Sequence, residues 1–277
     1  MTDTSDWVGR TRSVTDDIVR SPARRACAML GDWSAAFAEA DATLPPLWHW
    51  FYFLEATPRD ETGPDGHAAK GGFLPPIALP RRMYAGGRFA FPGDLAFGAE
   101  AEKRSTILSV TEKQGRSGPL AFVTVRHEIA QRGNVVATEE HDIVYREAED
   151  PAAAKPPVSR ADKPVLSEET VAPDEVTLFR FSALTYNGHR IHYDRPYVTG
   201  VEHYPGLIVH GPLVAMLLFE RARKIAGSRP SAFSFRAMSP VFCGTEVRLA
   251  EVAGETGLAL EARDEDDRLI MISTTEF

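Results

Sequence analysis

Apolar and polar residues alternate along several segments of the chain, which is the pattern of half-buried β-strands. In the first half, residues 122–129 (FVTVRHEI) and 135–146 (VVATEEHDIVYR) alternate in this way on either side of a QRGN turn, which predicts an antiparallel hairpin. In the second half, residues 247–253 and 258–277 show the same succession of strand, turn and strand. Both halves are therefore predicted to end in antiparallel β-structure.

The clearest helical pattern lies at residues 210–227 (HGPLVAMLLFERARKIAG). Pro212 suits a first helical turn, apolar residues follow at helical spacing, and the basic residues before Gly227 complement the helix dipole. The first half offers two weaker candidates. One is a helix over residues 21–37, capped by Ser21, and the other is residues 44–55 (LPPLWHWFYFLE), which fit either a helix or a buried strand.

A stretch rich in proline, alanine and charge separates the two halves and predicts a surface linker over residues 148–174. It leaves an N-terminal unit, residues 1–147, and a C-terminal unit, residues 175–277. A weak repeat supports a duplication, because LAFGAEA (95–101) aligns with PVFCGTEV (240–247) when one gap is allowed.

Composition excludes several classes of partner. The 277-residue chain carries a formal net charge of -8 with a pI near 5.5, which disfavours nucleic acid or an anionic membrane as the main partner. Two distant cysteines, Cys27 and Cys243, indicate neither a disulfide framework nor a thiolate metal site. The acidic N-terminus and the lack of a long apolar run lead us to expect a soluble, cytoplasmic protein.

Histidines are concentrated in one region, since four of the eight lie between residues 180 and 220: His189, His192, His203 and His210. A zinc site is one interpretation, but His189 and His192 have no partner carboxylate at helical spacing and form no recognised zinc motif. We therefore predict no metal. The alternative is a loop imidazole that takes part in acid–base catalysis.

Two motifs in this region resemble those of a known family. The sequences TYNGHRIHYD (185–194) and YPGLIVHGPLVAMLL (204–218) are similar to the hydratase motif of MaoC-like hot-dog proteins. In that motif a strand leads into a loop with an acid, a histidine follows five residues later, and an HG sequence begins the central helix. The first-half sequences LPPLWHWFYFL, GGFLPPIALPRRMYAGGRF and EKQGRSGPLAFVTVRHEI resemble the double hot-dog subgroup of this family, which includes mitochondrial type-2 hydroxyacyl-thioester dehydratase and bacterial mesaconyl-CoA and itaconyl-CoA hydratases.

The resemblance, which covers nearly the whole chain, implies a fold and a reaction. The fold would be α+β, a double hot-dog with two antiparallel sheets each wrapped around a central helix. The activity would be reversible hydration of an enoyl-CoA by a hydro-lyase, with one site in the C-terminal unit and the N-terminal unit forming a non-catalytic pocket wall. A short branched C5 dicarboxylic acyl-CoA, itaconyl-CoA or mesaconyl-CoA, is the expected substrate, and no cofactor is expected beyond the CoA of the substrate itself.

The resemblance also implies a role for each site residue. His192 occupies the place of the catalytic histidine, and backbone N–H groups at Gly211 and Leu213 would stabilise the enolate. Asn187 stands where single-domain hydratases have aspartate. An amide cannot transfer a proton, so Asn187 would hold the water and the acid–base work would fall to His192. The alternative is a purely structural role for all three residues: His192 would be a packed loop histidine, Asn187 would only form a turn, and His210 would support the start of the helix.

Arginines are the expected ligands for a substrate carboxylate or for the phosphates of CoA. Arg190, Arg180 and Arg88 are the predicted substrate-binding residues, with Arg81 and Arg82 as further candidates; surface ion pairing is the alternative for each. The aromatic residues between Trp48 and Phe53 would line an acyl tunnel or simply fill a core.

Other functions remain open at this stage. They are a 3-hydroxyacyl-thioester dehydratase of fatty-acid metabolism, an acyl-CoA thioesterase, and a silent acyl-CoA-binding module. A homodimer or higher homo-oligomer is a further expectation.

Overall fold

Twelve strands and four α-helices run through the residues that the computed structural model describes, which are 5–31, 42–115, 118–148 and 158–277. The first half contains β1 (Thr11–Asp17), α1 (Arg20–Leu30), β2 (Thr43–Leu44), β3 (Arg81–Ala90), β4 (Leu95–Ala96), β5 (Glu100–Gly115), β6 (Gly118–Gln131) and β7 (Asn134–Arg146). The second half contains β8 (Val165–Val171), α2 (Glu175–Thr185), α3 (Arg195–Gly200), α4 (Gly211–Ala226), β9 (Ala232–Ala237), β10 (Val247–Val252), β11 (Leu258–Arg263) and β12 (Leu269–Glu276).

The sheet order shows that the two halves are copies of one topology. Ten strands form one antiparallel sheet in the order β1-β5-β6-β7-β3-β9-β12-β11-β10-β8, in which each half contributes five strands in mirrored order. The halves meet where β3 pairs with β9, so their sheets join edge to edge and neither central edge is left unpaired. The α+β double hot-dog fold predicted from the sequence is confirmed, with its two sheets continuous.

The short sequence repeat falls at equivalent places in the two halves. In the first half β4 pairs with β2, and in the second Phe242 bridges to Ile208. Each of these pairs is followed by a glycine in the left-handed region, Gly98 with φ 81° and Gly244 with φ 80°, just before the long sheet resumes. Glycine takes this conformation without the penalty that a side chain would add.

The central helix differs between the two units. After Ile208 the chain enters the 16-residue α4, which is buried on most of its surface; after the equivalent β2 it forms only a 3-10 turn, Trp48–Phe51. The indole nitrogen of Trp48 donates a hydrogen bond of 2.6 Å to the buried Glu220 carboxylate of α4. The first unit therefore packs an aromatic turn, not a second long helix, against α4 and leaves space beside the sheet.

Local predictions agree with the structure in most places. The β6–β7 hairpin turns at Arg132 and Gly133, which both have positive φ, and α4 ends at the left-handed Gly227, as predicted. The helix predicted over residues 21–37 ends at Leu30, where Gly31 (φ 75°) provides a left-handed C-cap, and residues 32–41 lie outside the described part of the chain.

The predicted linker, residues 148–174, differs from the structure in its second part. Val165–Val171 forms the edge strand β8, which pairs with β10. Before β8 in the chain, the carbonyl oxygen of Ser159 accepts a hydrogen bond from the Leu269 N–H. An edge strand has a single neighbour and few buried side chains, so its charged sequence (VLSEETV) lacks the apolar alternation of an inner strand. Among the described residues, no helix is long and apolar enough to cross a membrane.

Candidate active site

The Asn187–His192 loop connects α2 to α3. The family motif leads us to expect a strand before this loop, and that expectation is wrong: the segment is α2, capped by Asp174, whose carboxylate accepts the Thr177 N–H at 2.8 Å. The buried Leu178 and Phe181 lie one helical turn apart, which fixes the inner face of α2. The helix ends where Tyr186 adopts φ 52°, which turns the chain into the loop.

His192 is held in a single tautomer. Its Nδ1 lies 2.7 Å from the carbonyl oxygen of Ile208; a carbonyl only accepts, so Nδ1 carries the hydrogen and Nε2 keeps the lone pair. Burial lowers the pKa of His192 to about 3, and electrostatic repulsion from the neighbouring His189 contributes to this shift. The ring is therefore neutral at neutral pH and able to accept a proton at Nε2.

The start of α4 lies directly against this imidazole. The His192 ring stacks on His210, the residue that precedes α4, with 3.6 Å between ring centroids. His210 is fully buried, its Nε2 lies 2.8 Å from the Ser182 hydroxyl, and burial lowers its pKa to about 2, in keeping with a structural role. No side chain caps α4, and a Cβ placed on Gly211 would meet no atom within 4 Å. The α-carbon of Gly211, in the first turn of α4, therefore faces open space, and the positive end of the helix dipole lies next to His192.

Asn187 forms a turn and also faces open space. Its side-chain oxygen accepts the His189 N–H at 3.0 Å, the hydrogen bond of an Asx turn. The amide NH2 remains as a donor, and Asn187 lines the large cleft described next. The turn-forming interpretation is confirmed, while water binding by Asn187 remains a prediction.

A cleft of about 1560 Å³ runs between the two units, larger than the roughly 300–1,000 Å³ of most small-molecule sites. Its second-unit wall includes residues from α2, the loop and the start of α4, among them Ser182, Asn187, Gly188, Arg190 and Pro212. The first unit supplies the opposite wall, including Trp50, Tyr52 and Phe53 of the aromatic segment. Trp48 and Phe51 are buried within the core, as one of the two interpretations predicted, while an acyl tunnel lined by the other aromatic residues remains a prediction.

The first unit also reaches the histidine loop itself, through the turn formed by Asp65, Gly66 and His67. The Arg190 N–H donates to the Asp65 carbonyl oxygen at 2.9 Å. Gly66 has φ 89°, and a Cβ there would lie 2.0 Å from the carbonyl oxygen of Gly188. The contact therefore requires glycine. Sequence reasoning missed this turn, although its Pro-Asp-Gly sequence is a strong turn signal.

A second group missed by sequence reasoning surrounds Glu139 in the first-unit wall. Its carboxylate accepts hydrogen bonds from His49 (3.1 Å), Trp50 (3.0 Å) and Tyr84 (2.9 Å). Burial alone would raise the pKa of Glu139, but these hydrogen bonds and the nearby imidazoles hold it well below its usual value. Glu139 is therefore an ionised, hydrogen-bonded carboxylate in the cleft wall.

Two clusters combine the residue types of a metal site, with polar atoms within 4.8 Å of one another: Asp65 with His67 and His189, and His127 with Glu139 and His141. In both, the carboxylate already accepts hydrogen bonds from protein donors, and His127 Nδ1 lies 2.7 Å from the Ser105 hydroxyl. We interpret both as hydrogen-bonded networks, and the absence of a metal remains a prediction.

The structure separates the arginines predicted to bind substrate. Arg190 lines the cleft but is bound to the Asp194 carboxylate and the Pro64 carbonyl oxygen. Arg88 is exposed in ion pairs with Glu140 and Asp142, and Arg180 is exposed on α2; neither lines the cleft.

Arg82 is the arginine whose position fits a bound anion. It is half-buried, lines the cleft, and within the described ranges no carboxylate forms an ion pair with it. Burial is the main cause of the lowered pKa of His67 and of His189, and the positive charge of Arg82 lowers both further. The Arg82 guanidinium, which interacts with the Tyr145 hydroxyl and has no carboxylate partner in the described part of the chain, therefore lies near the histidine loop.

Comparison with known proteins agrees with this geometry. The family model for hydroxyacyl-thioester dehydratase type 2 matches residues 47–243, which include both the aromatic segment and the histidine loop. The chain belongs to this family. It is 48% identical to mesaconyl-C(4)-CoA hydratase of Chloroflexus aurantiacus over 98% of this chain and 96% of the relative. It is 25% identical to the mitochondrial type 2 dehydratase of Schizosaccharomyces pombe over 78% and 79% of the two chains.

Solved structures support the same fold. A MaoC-like dehydratase from Phytophthora capsici superposes with a TM-score of 0.70 at 13% identity, covering 97% of this chain and 95% of that one. The resemblance to type-2 hydroxyacyl-thioester dehydratases and mesaconyl-CoA hydratases, predicted from the motifs, is confirmed by the family model and by the 48% identical relative. The chain is therefore an enzyme of the hydro-lyase class, which adds water to the carbon–carbon double bond of an enoyl thioester or forms that bond by removing water from a hydroxyacyl thioester.

Proposed function

We propose that the enzyme hydrates the enoyl-CoA of a short, branched C5 dicarboxylic acid, with mesaconyl-C4-CoA as the first candidate and itaconyl-CoA as the second. The observation that carries this proposal is Arg82, a cleft arginine without a carboxylate partner among the described residues. In mesaconyl-C4-CoA the free carboxylate is attached to the β-carbon, so a cation must lie close to the group that activates water. The 48% identical relative named for this substrate supports the same choice.

The proposed reaction uses the second unit's groups as follows. His192 Nε2 takes a proton from a water molecule that Asn187 also holds, while the water oxygen bonds to the β-carbon. The electrons of the double bond move to the thioester oxygen, where the N–H groups of Gly211 and Leu213 and the dipole of α4 stabilise the enolate. Protonation of the α-carbon restores the thioester carbonyl and completes the hydrated product.

The first-unit wall favours a short polar acyl group over a fatty chain. A fatty-acyl tunnel needs continuous apolar walls, whereas this side of the cleft presents the ionised Glu139 together with His127, His141 and Lys103. A small acyl group with a charged end is therefore a better fit than the acyl chain of a fatty 3-hydroxyacyl thioester.

A substrate panel tests this proposal. We expect mesaconyl-C4-CoA to lose the absorbance of its conjugated thioester with a higher kcat/KM than crotonyl-CoA, which has no free carboxylate, or a long-chain enoyl-CoA. Free thiol is followed in parallel. Release of CoA without hydration would indicate a thioesterase, and binding without either change would indicate a silent module; both outcomes would overturn the proposal.

Replacing Arg82 by glutamine should weaken selection of the dicarboxylic substrate. A charged hydrogen bond contributes about 1.5–3 kcal/mol, so we expect kcat/KM for mesaconyl-C4-CoA to fall roughly 10- to 100-fold. The value for crotonyl-CoA should change much less. Arg88→Gln is the matched control, because Arg88 is exposed and lies outside the cleft, and it should resemble the wild type. Equal losses on both substrates with Arg82→Gln would contradict a carboxylate-binding role.

We further propose a cytoplasmic enzyme that forms homo-oligomers. Size measurement in solution tests the second part.

A further inference from the structure

Hydration of an enoyl thioester requires two proton transfers, one from water and one to the α-carbon. The inference below rests on the function proposed above. Asn187 cannot carry either proton, so the two residues of the family motif leave both transfers to His192. The structure contains another imidazole next to the histidine loop, contributed by the first unit.

That imidazole, His67, is paired with a carboxylate. Asp65 accepts hydrogen bonds from the His67 backbone N–H and, at 3.1 Å, from the His67 Nδ1–H. Burial acts to raise the pKa of Asp65, but its bonds to His67 and the charge of His67 bring the pKa well below its usual value, so the carboxylate is ionised. His67 Nε2 is left for exchange of a proton with a ligand, and His67 lines the cleft.

The pair is fixed to the histidine loop by contacts on three sides. Arg190 donates to the Asp65 and Pro64 carbonyl oxygens, at 2.9 and 3.0 Å, and Gly66 lies against Gly188. The His67 ring lies 4.0 Å from the His189 ring, which in turn lies 5.4 Å from the ring of His192. Three imidazoles therefore form a continuous row from the Asp65 carboxylate to the start of α4.

We propose that Asp65 and His67 form the second acid–base pair of the active site, in which protonated His67 delivers the proton to the α-carbon after His192 has taken one from water. In the hydration direction the water proton moves to His192 Nε2, the water oxygen bonds to the β-carbon, and the His67 Nε2–H proton moves to the α-carbon. One proton is gained by His192 and one is lost by His67. Loss of the proton from His192 to solvent, and uptake of one from solvent by His67, restores the starting state.

The charges around His67 link its protonation to substrate. The groups that face it are Asp65, Arg82, His189 and, beyond that ring, His192, with the Arg190 side chain against the same turn. Burial lowers the pKa of His67 and the charge of Arg82 lowers it further, while Asp65 raises it. A substrate carboxylate on Arg82 would neutralise that charge. The pKa of His67 should then rise, and Asp65 would stabilise the imidazolium.

Variants of this pair, assayed over a range of pH with mesaconyl-C4-CoA, test the proposal. A proton donor must be protonated, so wild-type kcat for hydration should fall as the pH rises through the pKa of His67 in the complex. His67→Gln should lower kcat about 100- to 1,000-fold with little change in KM, and it should remove this alkaline limb. Asp65→Asn should move the limb to lower pH, because the imidazolium loses its counter-ion.

His203→Gln is the control, since His203 is exposed and outside the cleft, and it should match the wild type. A His67→Gln enzyme that keeps wild-type kcat and the alkaline limb would overturn the proposal. So would loss of wild-type activity on treatment with a chelator and its recovery with added metal, because the cluster would then be a metal site. If a thermal unfolding assay shows that His67→Gln does not fold, the pH profile of Asp65→Asn tests the proposal instead. An alkaline limb at the same pH as in the wild type would then overturn it.

Failure of the proposed substrate gives a different result. If the wild type hydrates crotonyl-CoA but not the dicarboxylic thioesters, the substrate assignment is wrong. The same variants on crotonyl-CoA then still test whether His67 supplies a proton.

Discussion

His192→Ala should lower kcat for hydration by about 100- to 10,000-fold, the range expected when a general base is removed. The physical reason is the tautomer: Ile208 binds the Nδ1–H, which leaves Nε2 as the base, and burial keeps the ring neutral at the pH of the assay. KM should change less than kcat, because the walls of the cleft are formed by other residues. Initial rates are measured from the loss of enoyl thioester absorbance.

The control for this substitution is His203→Ala, an exposed histidine outside the cleft, which should retain wild-type rates. Because His192 stacks on His210, a thermal unfolding curve is recorded for each variant. A folded His192→Ala protein within ten-fold of the wild-type kcat would show that another group takes the proton from water, and His67 would be the first to examine.

Gly66→Ala should disrupt the site from the opposite unit. Its φ of 89° strains any side chain, and the new Cβ would lie 2.0 Å from the Gly188 carbonyl oxygen, so the two backbones must separate by more than 1 Å. Misplacement of catalytic groups by about 1 Å can reduce rates roughly 100-fold. We expect a fall in kcat of this order, together with a lower melting temperature.

Gly98→Ala is the control that separates backbone strain from the steric clash expected in Gly66→Ala. Gly98 has a similar φ of 81°, but a Cβ there meets no atom within 4 Å, so this variant carries the conformational penalty alone. It should lose some stability and retain activity. Equal activity losses in the two alanine variants would contradict the view that the first-unit turn positions the histidine loop.

Much of the fold follows from local patterns in the sequence. The β6–β7 hairpin has clean alternation and a turn that requires positive φ, and α4 has a proline at its start and a glycine at its end. Each of these signals is local, because the residues that form it belong to the hairpin or helix that it predicts. The edge strand β8 gives no comparable signal, because only one side of it is paired and its polar side chains remain in water.

The site likewise has a part that the sequence predicts and a part that it does not. The motifs of the second unit identified the loop of Asn187 and His192 and the start of α4, which the structure brings together through Ile208 and His210. The contributions of the first unit could not be inferred from spacing. Asp65 and Arg190 are 125 residues apart in the chain, and their contact depends on the joining of the two sheets at β3 and β9.

The asymmetry of the two units has a structural basis. In the first unit a 3-10 turn, Trp48–Phe51, occupies the place of α4, and a turn of four residues has no dipole comparable to that of the 16-residue α4. The space beside the turn is lined by Trp50, Tyr84 and the buried Glu139. In the proposed mechanism one unit supplies the oxyanion site and the histidine loop, and the other supplies cleft walls, Arg82 and the Asp65–His67 turn.

The most direct test of the account is hydration in water labelled with 18O. The protein is incubated with mesaconyl-C4-CoA in labelled water and the thioesters are analysed by mass spectrometry. We expect an intact hydroxyacyl-CoA that has gained one labelled water, no free CoA, and loss of this product with His192→Ala. Labelled carboxylate in a released dicarboxylic acid, with a matching amount of free CoA, would contradict it.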